Sequence, residues 1–125
     1  MKITEIQSAD NLIKIVRASD YEKCSSLEII KVFDEDVAQV TAPGATVLYA
    51  CVQGGFDELL SRIGELPKAD KMIVYTLQNP DSFDEDELDR MTKCLDTFTR
   101  GKTAYGLKMT GKFSPQFHIF LRTKD

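Results

Sequence analysis

The sequence predicts an α+β two-layer sandwich: a β-α-β-α-β-β unit with a mixed four-stranded sheet, two helices on one face, and an N-terminal α/β extension. Three observations predict it. Thr46–Gln53 ("TVLYACVQ") and Lys71–Gln78 ("KMIVYTLQ") are apolar on both alternations, as strands covered on both faces are. Each is followed by apolar residues at helical spacing. Two alternating runs, Thr103–Thr110 and Gln116–Thr123, then follow with only the loop "TGKFSP" between them.

The elements follow in order from residue 46. After the first strand, Gly54-Gly55 makes a turn, and Phe56, Leu59, Leu60 and Ile63 form one buried helical stripe. That helix ends near Leu66-Pro67, since proline disfavours helical geometry in the residue before it. After the second strand, "NPDSFDEDELDRMTKCLDTFTR" supplies a turn and a long helix, with Ser82 or Asp84 as cap and acids from Asp84 to Glu87 suiting its positive end. Its stripe is Leu88, Met91, Leu95 and Phe98, and Gly101 is the expected stop. Tyr105, Leu107 and Met109 share one strand face. Phe117, Ile119 and Leu121 oppose Gln116, His118 and Arg122.

Residues 1–45 are less legible. "MKITEI" is compatible with a strand, "DNLIKIVRAS" fits helix and strand equally, "SSLEIIKVF" stays open between the two, and "DEDVAQVTA" reads as a short helix.

Bulk properties bound the function. At 125 residues with no composition break, a single domain 1–125 is expected, with 1–45 covering the sheet and 46–125 as core. That length buries about two-thirds of its unfolded surface, so no metal or disulfide staple is required. A net charge of −4 and a pI near 5.0 argue against broad nucleic-acid binding. The basic residues Arg100, Lys102, Lys108, Lys112, Arg122 and Lys124 read as a solvated face. No apolar run is long enough to span a bilayer, and the N-terminus lacks a signal-peptide core, so the expected location is the cytoplasm. Cys24, Cys51 and Cys94 fit free thiols in a reducing compartment.

Candidate sites fail one by one. A glycine turn between strand and helix is a common phosphate cradle. Here Gly54-Gly55 leads into Asp57 and Glu58, whose carboxylates would compete with an anion, and no Lys-Ser/Thr follows. The acid run Asp81, Asp84, Glu85, Asp86, Glu87 and Asp89 lacks the alternating ligands and central glycine of an EF-hand. His118 is the only histidine, and the cysteines have no C-x-x-C pairing. Glu28 and Glu58 have apolar neighbours but no identifiable acid partner. The sequence therefore nominates no catalytic residue, no cofactor and no metal.

From residue 46 onward, order and spacing resemble the C-terminal domain of the FtsZ/tubulin family. The best local match is "TAYGLKMT", where the aromatic-glycine pair Tyr105-Gly106 opens a strand as it does in FtsZ. "KMIVYTLQNPDSFDEDELDRM" resembles the FtsZ strand that leads through a polar turn into its last helix, and "IIKVFDEDVAQV" sits where FtsZ carries its synergy loop. The family's Asn-x-Asp-x-x-Asp there reads Lys31, Phe33 and Asp36, so one acid remains, and the glycine-rich GTP signature is absent. The resemblance implies the second domain without the GTPase domain. Chorismate mutase-like and reactive-intermediate deaminase families share this topology, so topology alone assigns no function.

Two functional expectations follow. The favoured one is a non-enzymatic protein-interaction or self-association module. The alternative is a small oligomeric enzyme or small-molecule binder of chorismate mutase-like topology, with arginines from the set Arg17, Arg62, Arg90, Arg100 and Arg122 converging between subunits. Two helices cover one sheet face. Residues 1–45, with Ile3, Ile6, Leu12, Ile13, Ile15, Val16, Leu27, Ile29 and Ile30, or another chain must cover the other.

Overall fold

In the computed structural model, which describes residues 1–97, 99 and 103–123, alternation and helical spacing become two packed layers around a central sheet. The strands are β1 (Ile3–Ile6), β2 (Glu28–Ile30), β3 (Thr46–Gln53), β4 (Lys71–Gln78), β5 (Thr103–Met109) and β6 (Gln116–Thr123). The helices are α1 (Ala9–Ala18), α2 (Asp20–Lys23), α3 (Asp34–Val40), α4 (Phe56–Arg62) and α5 (Glu85–Asp96). The sheet order is β1-β3-β6-β4-β5-β2, with β4–β5 parallel and every other pair antiparallel.

The four-stranded expectation is corrected to six. The predicted four form the centre, and β1 and β2 add to the two outer edges. These edge strands are short, and β2 is interrupted by a register shift between Glu28 and Ile30, which is why alternation there was unreadable. Local chemistry resolves the ambiguous "DNLIKIVRAS" as helix. Ser8 caps α1, its Oγ accepting from Asn11 N–H at 3.4 Å, and Leu12 and Val16 are buried one turn apart.

One face carries α4 and α5. Phe56, Leu59, Met91 and Leu95 pack there against Ala50, Val74, Phe117 and Ile119. Asp84 is the cap of α5, its Oδ1 accepting from Glu87 N–H at 2.8 Å. Leu60, expected in this core, is instead exposed, because α4 is only two turns long and its buried stripe runs Phe56, Leu59, Ile63. Phe98, Arg100, Gly101, Lys102 and Lys124 lie outside the described residues; α5 ends at Asp96.

On the opposite face, Leu12, Val16, Tyr21 and Val40 pack against Val47, Ile73, Tyr75, Leu77 and Phe120. At about 25 cal/mol per Å² of apolar surface removed from water, this second layer is a main contributor to stability. Ile13, Leu27 and Ile29, candidates for the same cover, are exposed.

Candidate functional site

Three features of the second layer stand out: a polar chain, a cleft, and an apolar edge. The polar chain begins at Asp20, the first residue of α2. Gln116 donates through Nε2 to Asp20 Oδ2 at 3.1 Å, and its Oε1 lies 2.6 Å from His118 Nε2. A carboxamide oxygen only accepts, so Nε2 carries the proton and Nδ1 accepts from Tyr49 OH at 2.8 Å. Burial pushes the His118 pKa down, partly opposed by the Asp20 carboxylate, so the ring is held neutral. Burial also raises the Tyr49 phenol, with Cys51 adding to the effect.

Cys51 pairs across the strands with His118. No thiol–imidazole hydrogen bond joins them, and Cys51 instead accepts weakly from Gln53 Nε2 at 3.5 Å. Burial raises the Cys51 thiol pKa, which keeps it protonated. A nucleophilic cysteine needs the reverse on both counts, so this arrangement does not activate the Cys51 thiol as a nucleophile. Sequence reasoning saw His118 as isolated. Its partners come from β3, β6 and α2, and no local signal announces that pairing.

A second polar cluster sits under α2. Lys108 on β5 donates from Nζ to Tyr21 O at 2.8 Å and to Cys24 O at 3.2 Å, closing the end of α2, and its Nζ lies 4.5 Å from the Tyr21 ring centroid. Tyr21 OH donates to Glu28 Oε2 at 2.6 Å.

The cleft opens between α1 and α3. It has a volume of about 350 Å³, with Leu12, Ile13 and Val16 on one wall, Val37 and Ala38 on the other, and Tyr75 as floor. Arg17, Glu22 and Asp34 also line it. The edge feature brackets β2: Leu27, Ile29 and Phe33 are 82%, 58% and 61% exposed. The next strand, β5, lies on one side of β2 only.

The turns considered from sequence have local uses. Gly54 adopts φ +131°, where a Cβ would meet Glu58 Cβ at 2.6 Å, and its N–H donates to Pro115 O. Asn79 Oδ1 accepts from Asp81 N–H. Among the described residues, no three His, Cys, Asp or Glu side chains come together as a metal set. Of the arginines among the described residues, Arg17 lines the cleft, Arg62 pairs with Glu58 on α4, and Arg122 donates to Gln39 O. Glu28 and Glu58 bond to Tyr21 and Arg62 rather than to another acid.

No protein-family model matches the chain, and no curated protein is similar to it. Among solved structures, it is similar to CetZ2 from Haloferax volcanii, described as a GTPγS-bound protofilament, with 16% identity over 74% of this chain and a TM-score of 0.46. The aligned region spans about a third, 33%, of that protein's length. No described helix is long and apolar enough to cross a membrane.

Proposed function

We propose that the chain is a non-enzymatic association module with an FtsZ C-terminal-like arrangement, working through protein contact at the β2 edge and without GTPase activity. The observation that carries this reading is the cluster Leu27, Ile29 and Phe33. Among the described residues, three of the five exposed large hydrophobic residues fall within one short segment at the outer strand. Single exposed apolar residues are ordinary, but a clustered set at a sheet edge is what association surfaces present.

Side chains rather than ladder hydrogen bonds supply the contact, because β2 has three residues and a register shift that blunts edge pairing. Burying three such side chains contributes about 1.5–3 kcal/mol each. Association itself costs about 4–15 kcal/mol, so the patch supports weak, reversible binding unless further surface joins it. Asp36 supports the absence of GTPase chemistry. It is the one acid retained in the synergy-loop pattern, and its Oδ2 accepts from Phe33 N–H at 2.9 Å, a capping role at α3.

Light scattering coupled to size exclusion tests the reading, using a second copy of the chain as partner. Average mass should rise with concentration and return to that of one chain in Phe33→Ser and Leu27→Ser. A single-chain mass up to about 1 mM would remove self-association. Calorimetric titration should show no GTP binding, and micromolar affinity would overturn the non-GTPase assignment.

A further inference from the structure

The cleft between α1 and α3 has a floor unlike the rest of the core. Tyr75 is 8% exposed, and its hydroxyl has no hydrogen-bond partner among the described residues. The other three tyrosine hydroxyls are all engaged: Tyr21 with Glu28, Tyr49 with His118, and Tyr105 with Thr92 O and Asp96. Among the described residues no side-chain nitrogen or oxygen shut off from solvent lacks a partner, so the Tyr75 hydroxyl opens into the cleft, where it is free to bond a ligand atom. The cavity's 350 Å³ falls at the lower end of small-molecule pockets, and its walls are aliphatic with few polar groups, as those pockets are.

Charge selects among ligands. Two carboxylates, Glu22 and Asp34, line the cleft against one guanidinium, Arg17, and none of the three takes part in an ion pair among the described residues. At the Tyr75 hydroxyl the field is one-sided. Burial, followed by the charges of Glu28, Asp36, Asp34 and Glu22, pushes its pKa up to about 12. A carboxylate ligand would meet those like charges. An ammonium would be stabilised by them and would donate to the phenolic oxygen.

We propose that the cleft between α1 and α3 is a binding site for a small hydrophobic amine, with its hydrocarbon body between Leu12, Val16 and Val37 and its ammonium between the Tyr75 hydroxyl and the carboxylates of Glu22 and Asp34. The cleft shares no lining residue with the Leu27, Ile29 and Phe33 cluster, though Val32 and Asp34 flank Phe33 in the chain, and amine binding there does not require association at the β2 edge.

Three probes with one body and different heads test it: phenylbutylamine, phenylbutanol and phenylbutyrate, titrated into the full chain and followed by amide chemical shifts. The amine should bind about ten-fold more tightly than the alcohol, an increment typical of a charge-assisted contact, and the carboxylate should bind most weakly. Shifts should centre on Leu12, Val16, Val37 and Tyr75. Tyr75→Phe should weaken the amine about five-fold, the size of one hydrogen bond. Glu22→Gln combined with Asp34→Asn changes only exposed side chains and should abolish the preference for amine over alcohol. Equal or tighter binding of phenylbutyrate, shifts centred elsewhere, or no binding of any probe at about 10 mM would each overturn the proposal.

Discussion

The hydroxyl of Tyr21 lies over the backbone of Gly106, 2.7 Å from where a side-chain Cβ would stand. Tyr75 Cδ1 and Val32 Cγ2 crowd the same point at 3.2 Å. Position 106 is therefore glycine for space, with α2 pressed onto β5. The Tyr105-Gly106 pair, read from sequence as a family-like feature, has this packing as its physical reason.

Gly106→Ala should destabilise the chain by about 1–3 kcal/mol, the usual cost of overpacking. In a Tyr21→Phe background the tightest contact is gone, so the alanine should cost less there. Urea unfolding of the four proteins in this cycle measures the coupling. Strict additivity would mean that Tyr21 is not what Gly106 accommodates.

His118 makes stability depend on pH with a definite sign. An unfolded histidine takes its proton near pH 6.5, whereas the folded one is held neutral to lower pH by burial. Between these values the unfolded state binds the extra proton and is favoured, so stability falls as pH drops through about 6.5. The fall from this group ends once the folded state also protonates. Urea midpoints between about pH 7.5 and 5 should decline less in His118→Gln than in the parent. Parallel curves would place the pH dependence on other groups.

Leu95 and Leu60 separate the helix core from its surroundings. Leu95 is 0% exposed and Leu60 is 41% exposed. Leu95→Ala should cost about 2–5 kcal/mol as a cavity forms, while Leu60→Ala should stay within about 0.5 kcal/mol. Comparable shifts in urea midpoint would mean the stripe on α4 and α5 is misassigned.

What was legible in the sequence divides along a physical line. β3, β4 and β6 have the predicted bounds, because long runs buried on both faces carry strong apolar patterns and polar turns bracket them. The cap of α5 was legible to two candidates, Ser82 or Asp84, since capping needs only local chemistry, and Asp84 is the one that caps it. Before residue 46, "MKITEI" and "DEDVAQVTA" contain the strand and the short helix read there, whereas "DNLIKIVRAS" and "SSLEIIKVF" stayed open between helix and strand. β2 has three residues and a register shift, too little pattern to separate strand from helix. The chain Tyr49–His118–Gln116–Asp20 and the cleft over Tyr75 were also invisible, since each is assembled from elements far apart in sequence. Leu60 shows the opposite error: helical spacing nominated it, but only packing decides which flank of a stripe is covered.

The last prediction concerns the layer formed by residues before 46. Val47, Ile73, Leu77 and Phe120 on the sheet are buried, and the residues packed against them from this segment include Leu12, Val16, Tyr21 and Val40. Uncovering that face would forfeit about 25 cal/mol for each Å² of apolar surface returned to water. Removing residues 1–40 also takes away β1 and β2, leaving β3 and β5 as new sheet edges. A 41–125 fragment should therefore aggregate or form an oligomer, read by light scattering and by binding of a hydrophobic dye. Within the intact chain, Leu12→Ala probes the same layer gently and should cost about 2–5 kcal/mol. A fragment that stayed monomeric and as stable as the whole chain, or a Leu12→Ala variant with an unchanged urea midpoint, would show that this layer does not hold the sheet.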